Sequence, residues 1–237
     1  TYSARVSVWS DPYFDLRTFL GQLVVVTYLF FSGYGIMESY KKKGRDYIKS
    51  IPVHRFFKTW LHFAIALIPY SYVFLEMFQK EKTPQQIALA FVGFETFGNS
   101  NWYMFVTFAL YIIVFVSCIW FKKASIVPAV LTTILTVGFV FVLNTYREPL
   151  SAMNATFASH WYNTVLCFPA GMLFSVVKPL VDKILMKHDV LWFTGLFGSF
   201  MLFCFFSQPQ YRGTRVLYHS LFAIFFCTTI VILMMKV

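Results

Sequence analysis

Leu16 to Pro69 reads LRTFLGQLVVVTYLFFSGYGIMESYKKKGRDYIKSIPVHRFFKTWLHFAIALIP: two apolar runs joined by a segment carrying Lys41, Lys42, Lys43, Arg45, Lys49, Arg55 and Lys58. About 20 mostly apolar residues suffice for a helix to cross the hydrocarbon core of a bilayer. The pair is therefore a membrane hairpin with one strongly basic end. Its first run closes on Phe30-Phe31-Ser32-Gly33-Tyr34-Gly35, small residues that admit a second backbone or a thin ligand, and its second opens on Arg55-Phe56-Phe57-Lys58.

The rest of the chain has the same character. Of 237 residues, 58% are hydrophobic and 13% charged, too little polar cover for a fold dissolved in water. Seven runs have the composition of membrane spans: Leu16 to Met37, Phe56 to Phe78, Trp102 to Phe121, Ser125 to Leu143, Thr164 to Val177, Val190 to Ser207 and Leu217 to Lys236. Pro169 interrupts the fifth. Barrel strands alternate apolar and polar residues, whereas these runs are apolar on every side. Helices then satisfy the backbone hydrogen bonds that lipid cannot. The fold class is all-α: a polytopic integral membrane protein of about seven transmembrane helices, with a short outer-face or re-entrant helix between Pro84 and Ser100.

Residues 1–237 read as a single transmembrane domain, with 1–15 an outer loop, 38–55 a basic loop and 144–163 an outer loop rich in polar and aromatic side chains. The polar lead from Thr1 resembles a loop that follows an earlier span, as in a piece of a longer protein. With the amino end outside, one face collects 13 basic residues and the other seven. The positive-inside rule puts the basic 38–55 loop in the cytoplasm, for a multi-pass protein of the inner (plasma) membrane. The net charge of +10 is then explained by topogenic lysines and anionic headgroups rather than by nucleic acid. Cys118, Cys167, Cys204 and Cys227 fall in or beside spans without metal or redox spacing, and read as small buried hydrophobes.

Arg55, Lys58 and His62 follow i, i+3, i+7 spacing, one stripe of a helix. Such a stripe either binds phosphates at the membrane mouth, with His62 as a pocket candidate two turns deeper, or holds snorkelling cations and a satisfied core histidine. Ser32, Gly33 and Gly35 either permit close helix packing or leave a slot for an acyl-pantetheine arm. Glu38 is placed to pair with a lysine of the basic segment. Asn101, Trp102 and Tyr103, and His160 with Trp161 in the outer loop, suit either an interfacial aromatic belt or a sugar face. No metal-ligand pattern, phosphate loop or nucleotide fingerprint is present.

Four of these segments, taken in order, resemble the membrane acyltransferase-3 family, integral-membrane enzymes that O-acylate cell-surface and exported glycans. They are Phe30-Phe31-Ser32-Gly33-Tyr34-Gly35, Arg55-x-x-Lys58 where the family usually has Arg-x-x-Arg, Asn101-Trp102-Tyr103 with Tyr111, and Phe168-Pro169-Ala170-Gly171-Met172-Leu173. The resemblance implies that acyl-CoA, as acetyl-CoA, is the co-substrate and no cofactor is retained. It implies a glycan hydroxyl of the cell envelope as acceptor, bound by Asn101, Trp102, Tyr103, His160 and Trp161. Arg55, Lys58, Ser32, Gly33 and Gly35 would hold the acyl-CoA, Lys58 keeping charge while losing the planar two-point grip of arginine. The family's catalytic histidine is expected upstream of Thr1, so no catalytic residue is named here. Two other readings use the same features: a transporter or flippase of a lipid-linked glycan, and a non-catalytic membrane subunit.

Overall fold

The computed structural model describes residues 3–77, 81–97, 101–153, 164–207 and 216–236. Among them no strand occurs. The elements are α1 (Ser3–Lys43), α2 (Arg45–Ile51), a π-helix (Pro52–Phe57), α3 (Lys58–Tyr72), a second π-helix (Val73–Met77), α4 (Pro84–Phe91), α5 (Trp102–Cys118), α6 (Ile126–Thr145), α7 (Arg147–Met153), α8 (Cys167–Leu185), α9 (Asp189–Phe206) and α10 (Val216–Met234). Among the described residues, five helices are long and apolar enough to cross a membrane: Leu23–Lys43, Arg45–Met77, Ile126–Thr145, Asp189–Phe206 and Leu217–Met234. α5 is apolar but shorter, at 17 residues, and α8 carries Lys178, Asp182 and Lys183.

Several boundaries differ from those expected. The lead 1–15 is not a loop: helix begins at Ser3, and Pro12, its only proline, removes a single backbone donor without stopping it. The basic segment 38–55 is also helical apart from one break. α1 continues through Lys43, and Gly44 at φ 63° turns the chain into α2. That left-handed conformation is cheap for glycine alone. Pro169 does not interrupt the fifth run, because it is the third residue of α8, in the first turn, where a missing N–H leaves no bond unmade. α8 then reaches Leu185 rather than stopping at Val177. The outer segment 144–163 begins as helix, with α6 ending at Thr145 and α7 at Arg147–Met153, while 154–163 lie outside the described residues.

The stack from Arg45 to Met77 is 33 residues long. At 1.5 Å per residue that is ~50 Å, against ~30 Å of hydrocarbon. Even a strongly tilted helix of this length stands partly outside the core. The first π segment starts at Pro52, where ring clash with the carbonyl four residues back opens the ladder, and the second begins at Val73, four residues past Pro69. The Lys58 N–H accordingly reaches the Val53 carbonyl, five residues back. α4 starts with a capping box, the Thr83 side chain accepting from the Gln86 N–H and the Gln86 side chain accepting from the Thr83 N–H. It folds back on α3, burying Ala90 beside Leu67 and Phe97, and the Trp60 indole donates to the Phe91 carbonyl at 3.0 Å.

The core is built mainly from α1, α2, α5, α6, α8 and α10. Its tightest contact is between α1 and α8. A Cβ placed on Gly33 would stand 2.0 Å from the Phe168 carbonyl oxygen, and one on Gly171 would stand 2.0 Å from that of Phe30. Gly33 and Gly171 thus face each other's helix, and the backbones touch with no side chain between. Water does not drive helices together in lipid, so this close van der Waals contact carries the association. The two helices run parallel, since Lys41, further along α1, donates to the carbonyl of Ser175, further along α8.

Gly33→Ala and Gly171→Ala are each expected to lower stability in detergent by about 1–3 kcal/mol, the range for overpacking. Nothing stands within 4 Å of a Cβ on Gly35, so Gly35→Ala should be neutral or stabilising. Thermal unfolding followed by size-exclusion chromatography checks this; equal midpoints for Gly33→Ala and Gly35→Ala would contradict the crossing.

Candidate functional site

Beside the α1–α8 crossing, α5 closes a small cavity. Leu29 and Ser32 of α1, Tyr103, Thr107, Leu110 and Tyr111 of α5, and Phe168 of α8 line a cavity of about 10 Å³. Tyr103 and Thr107 sit one turn apart on α5, the Thr107 hydroxyl donating back to the Tyr103 carbonyl at 2.7 Å. Tyr111, one turn further, is buried, and the side chains of Arg55 and Thr59 lie at its hydroxyl. Tyr47 of α2 also faces Tyr111, and its own buried hydroxyl has no hydrogen-bond partner among the described residues; the buried Arg45 Nε shares that condition. Five hydroxyl-bearing side chains, Ser32, Tyr47, Tyr103, Thr107 and Tyr111, and the Arg55 guanidinium are therefore grouped where α1, α2, the first π-helix and α5 meet. Such groups donate hydrogen bonds to an oxygen that is gaining charge.

The candidates named from the sequence separate into three sets. Ser32, Tyr103 and Arg55 are brought to this cavity or its edge. Gly33 is not open to a ligand, because the Phe168 backbone fills the space above it; of the two uses weighed for these small residues, helix packing is the one observed at Gly33. Gly35 is half-buried with open space over its Cα. Arg55, Lys58 and His62 are all exposed, so His62 is not a core histidine, and Arg55 belongs to a π segment whose wider turn rotates it relative to the other two. Asn101 is buried and occupied: its Nδ2 donates to the Glu95 carbonyl at 3.0 Å, which makes it a loop anchor. Trp102 packs edge-on against Tyr103, ring centres 6.1 Å apart. His160 and Trp161 lie outside the described residues.

The basic end is a common feature of several helix ends. Tyr40 donates to the Phe121 carbonyl at 2.8 Å, fastening α1 to the turn after α5. Glu38 accepts from Lys41 at 2.8 Å, the pairing its position suggested, and from the Ser175 hydroxyl at 2.8 Å, a partner that spacing did not reveal. Lys178 pairs with Asp182, and Lys236 with Asp189. Lys42, Lys43, Lys122 and Lys123 are exposed around them. At the opposite end, Lys82 Nζ lies 2.9 Å from Glu95 Oε1, with the carboxylate only 8% exposed. Cys118, Cys167 and Cys227 are buried, Cys204 is half-buried, and all four are thiols. Among the described residues no group of His, Cys, Asp or Glu can hold a metal ion.

No protein-family model matches the chain, and neither a curated protein nor a solved structure matches it.

The Glu95 carboxylate is held by one ammonium and one backbone N–H, that of Thr96 at 3.1 Å. Lys82→Met should therefore destabilise the fold by about 3 kcal/mol by stranding a buried charge. Lys82→Met with Glu95→Gln should recover most of that loss. Thermal midpoints of the single and double variants check the pair, and equal losses in both would show that the ion pair is not the cause.

Proposed function

We propose that the chain is part of a membrane O-acyltransferase that moves an acyl group, most simply acetyl, from acyl-CoA to a hydroxyl of a cell-surface or exported glycan. The observation that carries the reading is the convergence of the segments that resemble acyltransferase-3 enzymes. Phe30–Gly35 crosses Phe168–Leu173, Ser32 shares a cavity with Tyr103 and Tyr111, and Arg55 stands at Tyr111. Segments 20 to 140 residues apart in the chain meet at one place.

On this reading the chain crosses the inner membrane about seven times, α5 and α8 included, with the basic end in the cytoplasm. Arg55 and Lys58, exposed on the long stack, hold the CoA phosphates by charge-assisted hydrogen bonds. The thioester carbonyl reaches the cavity, where the hydroxyls of Ser32, Tyr103 and Tyr111 donate to its oxygen as charge develops. A glycan hydroxyl attacks the carbonyl carbon, its proton goes to a general base, and the C–S bond breaks to release CoA thiol and the O-acyl glycan. At about 10 Å³ the cavity has no room for an acyl chain, so on this reading the helices that line it separate to admit the thioester. The general base is not assigned to a residue of this chain.

Membranes containing the protein, given labelled acetyl-CoA and envelope glycan, are expected to label the glycan. Arg55→Ala with Lys58→Ala should raise the KM for acetyl-CoA about tenfold, a loss of roughly 1.4 kcal/mol of phosphate binding. Equal labelling by both proteins removes the clamp. Separately, an amine reagent that cannot cross the membrane should modify Lys41, Lys42 and Lys43 in inverted vesicles and not in intact cells. Modification in intact cells puts the donor's docking site on the wrong face.

A further inference from the structure

A second stripe of α1, turned away from the cavity, lines a groove that the proposed chemistry does not use. Leu23, Thr27, Tyr28 and Phe31 of α1 form one wall and Phe226 and Ile230 of α10 the other, around a groove of about 590 Å³. Phe31 also borders a second hollow of about 440 Å³ between α1, α8 and α10. There the lining changes character: Tyr34, Phe174, Met234 and Met235 lead to Lys178 and Asp182. The two hollows share Phe31 as a wall, the first apolar and the second reaching charged groups at the basic end, and Tyr28 and Phe31 there are 61% and 44% exposed.

We propose that this pair of hollows is a binding site for one anionic phospholipid, its acyl chain along α1 and α10 and its headgroup at Lys178. Apolar contact alone selects nothing inside a bilayer, because neighbouring lipid offers the same contact. Selection comes from the charged end. The helix ends that surround it carry Lys41, Lys42, Lys43, Lys178, Lys183, Lys187 and Lys236 against Glu38, Asp182 and Asp189, seven cations to three anions. Glu38, Asp182 and Asp189 each already bind a lysine, which leaves Lys42, Lys43, Lys183 and Lys187 outside any ion pair among the described residues. A headgroup with net negative charge offsets this excess; a zwitterionic one does not. Tyr34 lines the same hollow as Lys178 and Asp182, and its hydroxyl can donate to a phosphate oxygen there.

The test uses the protein in phosphatidylcholine vesicles with a trace of phosphatidylglycerol bearing a photoreactive acyl chain. Label should fall on residues 23–31 and 226–235, and unlabelled phosphatidylglycerol should displace it while added phosphatidylcholine does not. Thr27→Trp, which fills the groove, should cut labelling about tenfold, whereas Ile65→Trp on the exposed face of α3 should not change it. Lys178→Ala with Lys183→Ala, a change at the helix end that leaves the groove walls intact, should lower the preference for the anionic lipid at least five-fold. Equal competition by phosphatidylcholine, or label spread as strongly over the exposed side of α9, overturns the proposal. Acetyl transfer and lipid labelling are measured separately, so either reading can fail alone.

Discussion

Everything positioned inside this bundle depends on two glycines that let α1 and α8 touch backbone to backbone. At Gly33 and Gly171 there is room for a hydrogen atom and nothing more. Close approach is what makes a helix pair stable in lipid, where burial of apolar surface contributes little between helices. The contact fixes Phe168 against α1, and Phe168 is a wall of the cavity that also holds Ser32, Tyr103 and Tyr111. Further along the same pair, Glu38 takes hydrogen bonds from Lys41 and Ser175, so the crossing is pinned at its basic end by polar contacts as well.

A second constraint comes from the prolines. Pro52 and Pro69 each remove a backbone donor, yet the backbone from Arg45 to Met77 stays helical, with π turns at Pro52–Phe57 and Val73–Met77. In lipid the alternative is unsatisfied carbonyls, so the chain keeps its ladder by lengthening it. The consequence is functional geometry: the π turn carries Arg55 to the Tyr111 hydroxyl on α5 while Lys58 and His62 continue along the exposed face. The same stack supports α4 and the buried Lys82 and Glu95 pair at the far end, which ties the segment after the second span back onto α3.

The helical class and the run of apolar spans were legible because twenty consecutive apolar side chains have no other stable arrangement in a bilayer. Helix ends were less so. Lys41 to Lys43 look like a loop by charge, yet lysine is a good helix former, and only Gly44 breaks the chain. Pro169 looked like an interruption because proline's effect depends on its distance from the helix start, which composition does not state. In the site, Ser32 and Tyr103 were named from local pattern, but Thr107 and Tyr47 were not, since a lone hydroxyl in an apolar run carries no sign of which helix it will face. The two uses of small residues, packing and ligand access, give the same sequence; the Phe168 carbonyl over Gly33 distinguishes them.

The central claim is that the α1–α8 crossing brings Ser32 against the Tyr103–Tyr111 face of α5. Disulfide trapping in native membranes tests it most directly, with Ser32→Cys and Thr107→Cys introduced into a protein whose four cysteines are replaced by alanine or serine. Rapid cross-linking of that pair is the result expected, with none when Ser32→Cys is combined with Ile65→Cys on the exposed side of α3. Failure of the first pair to cross-link, or equal cross-linking of both, would contradict the cavity and the chemistry built on it.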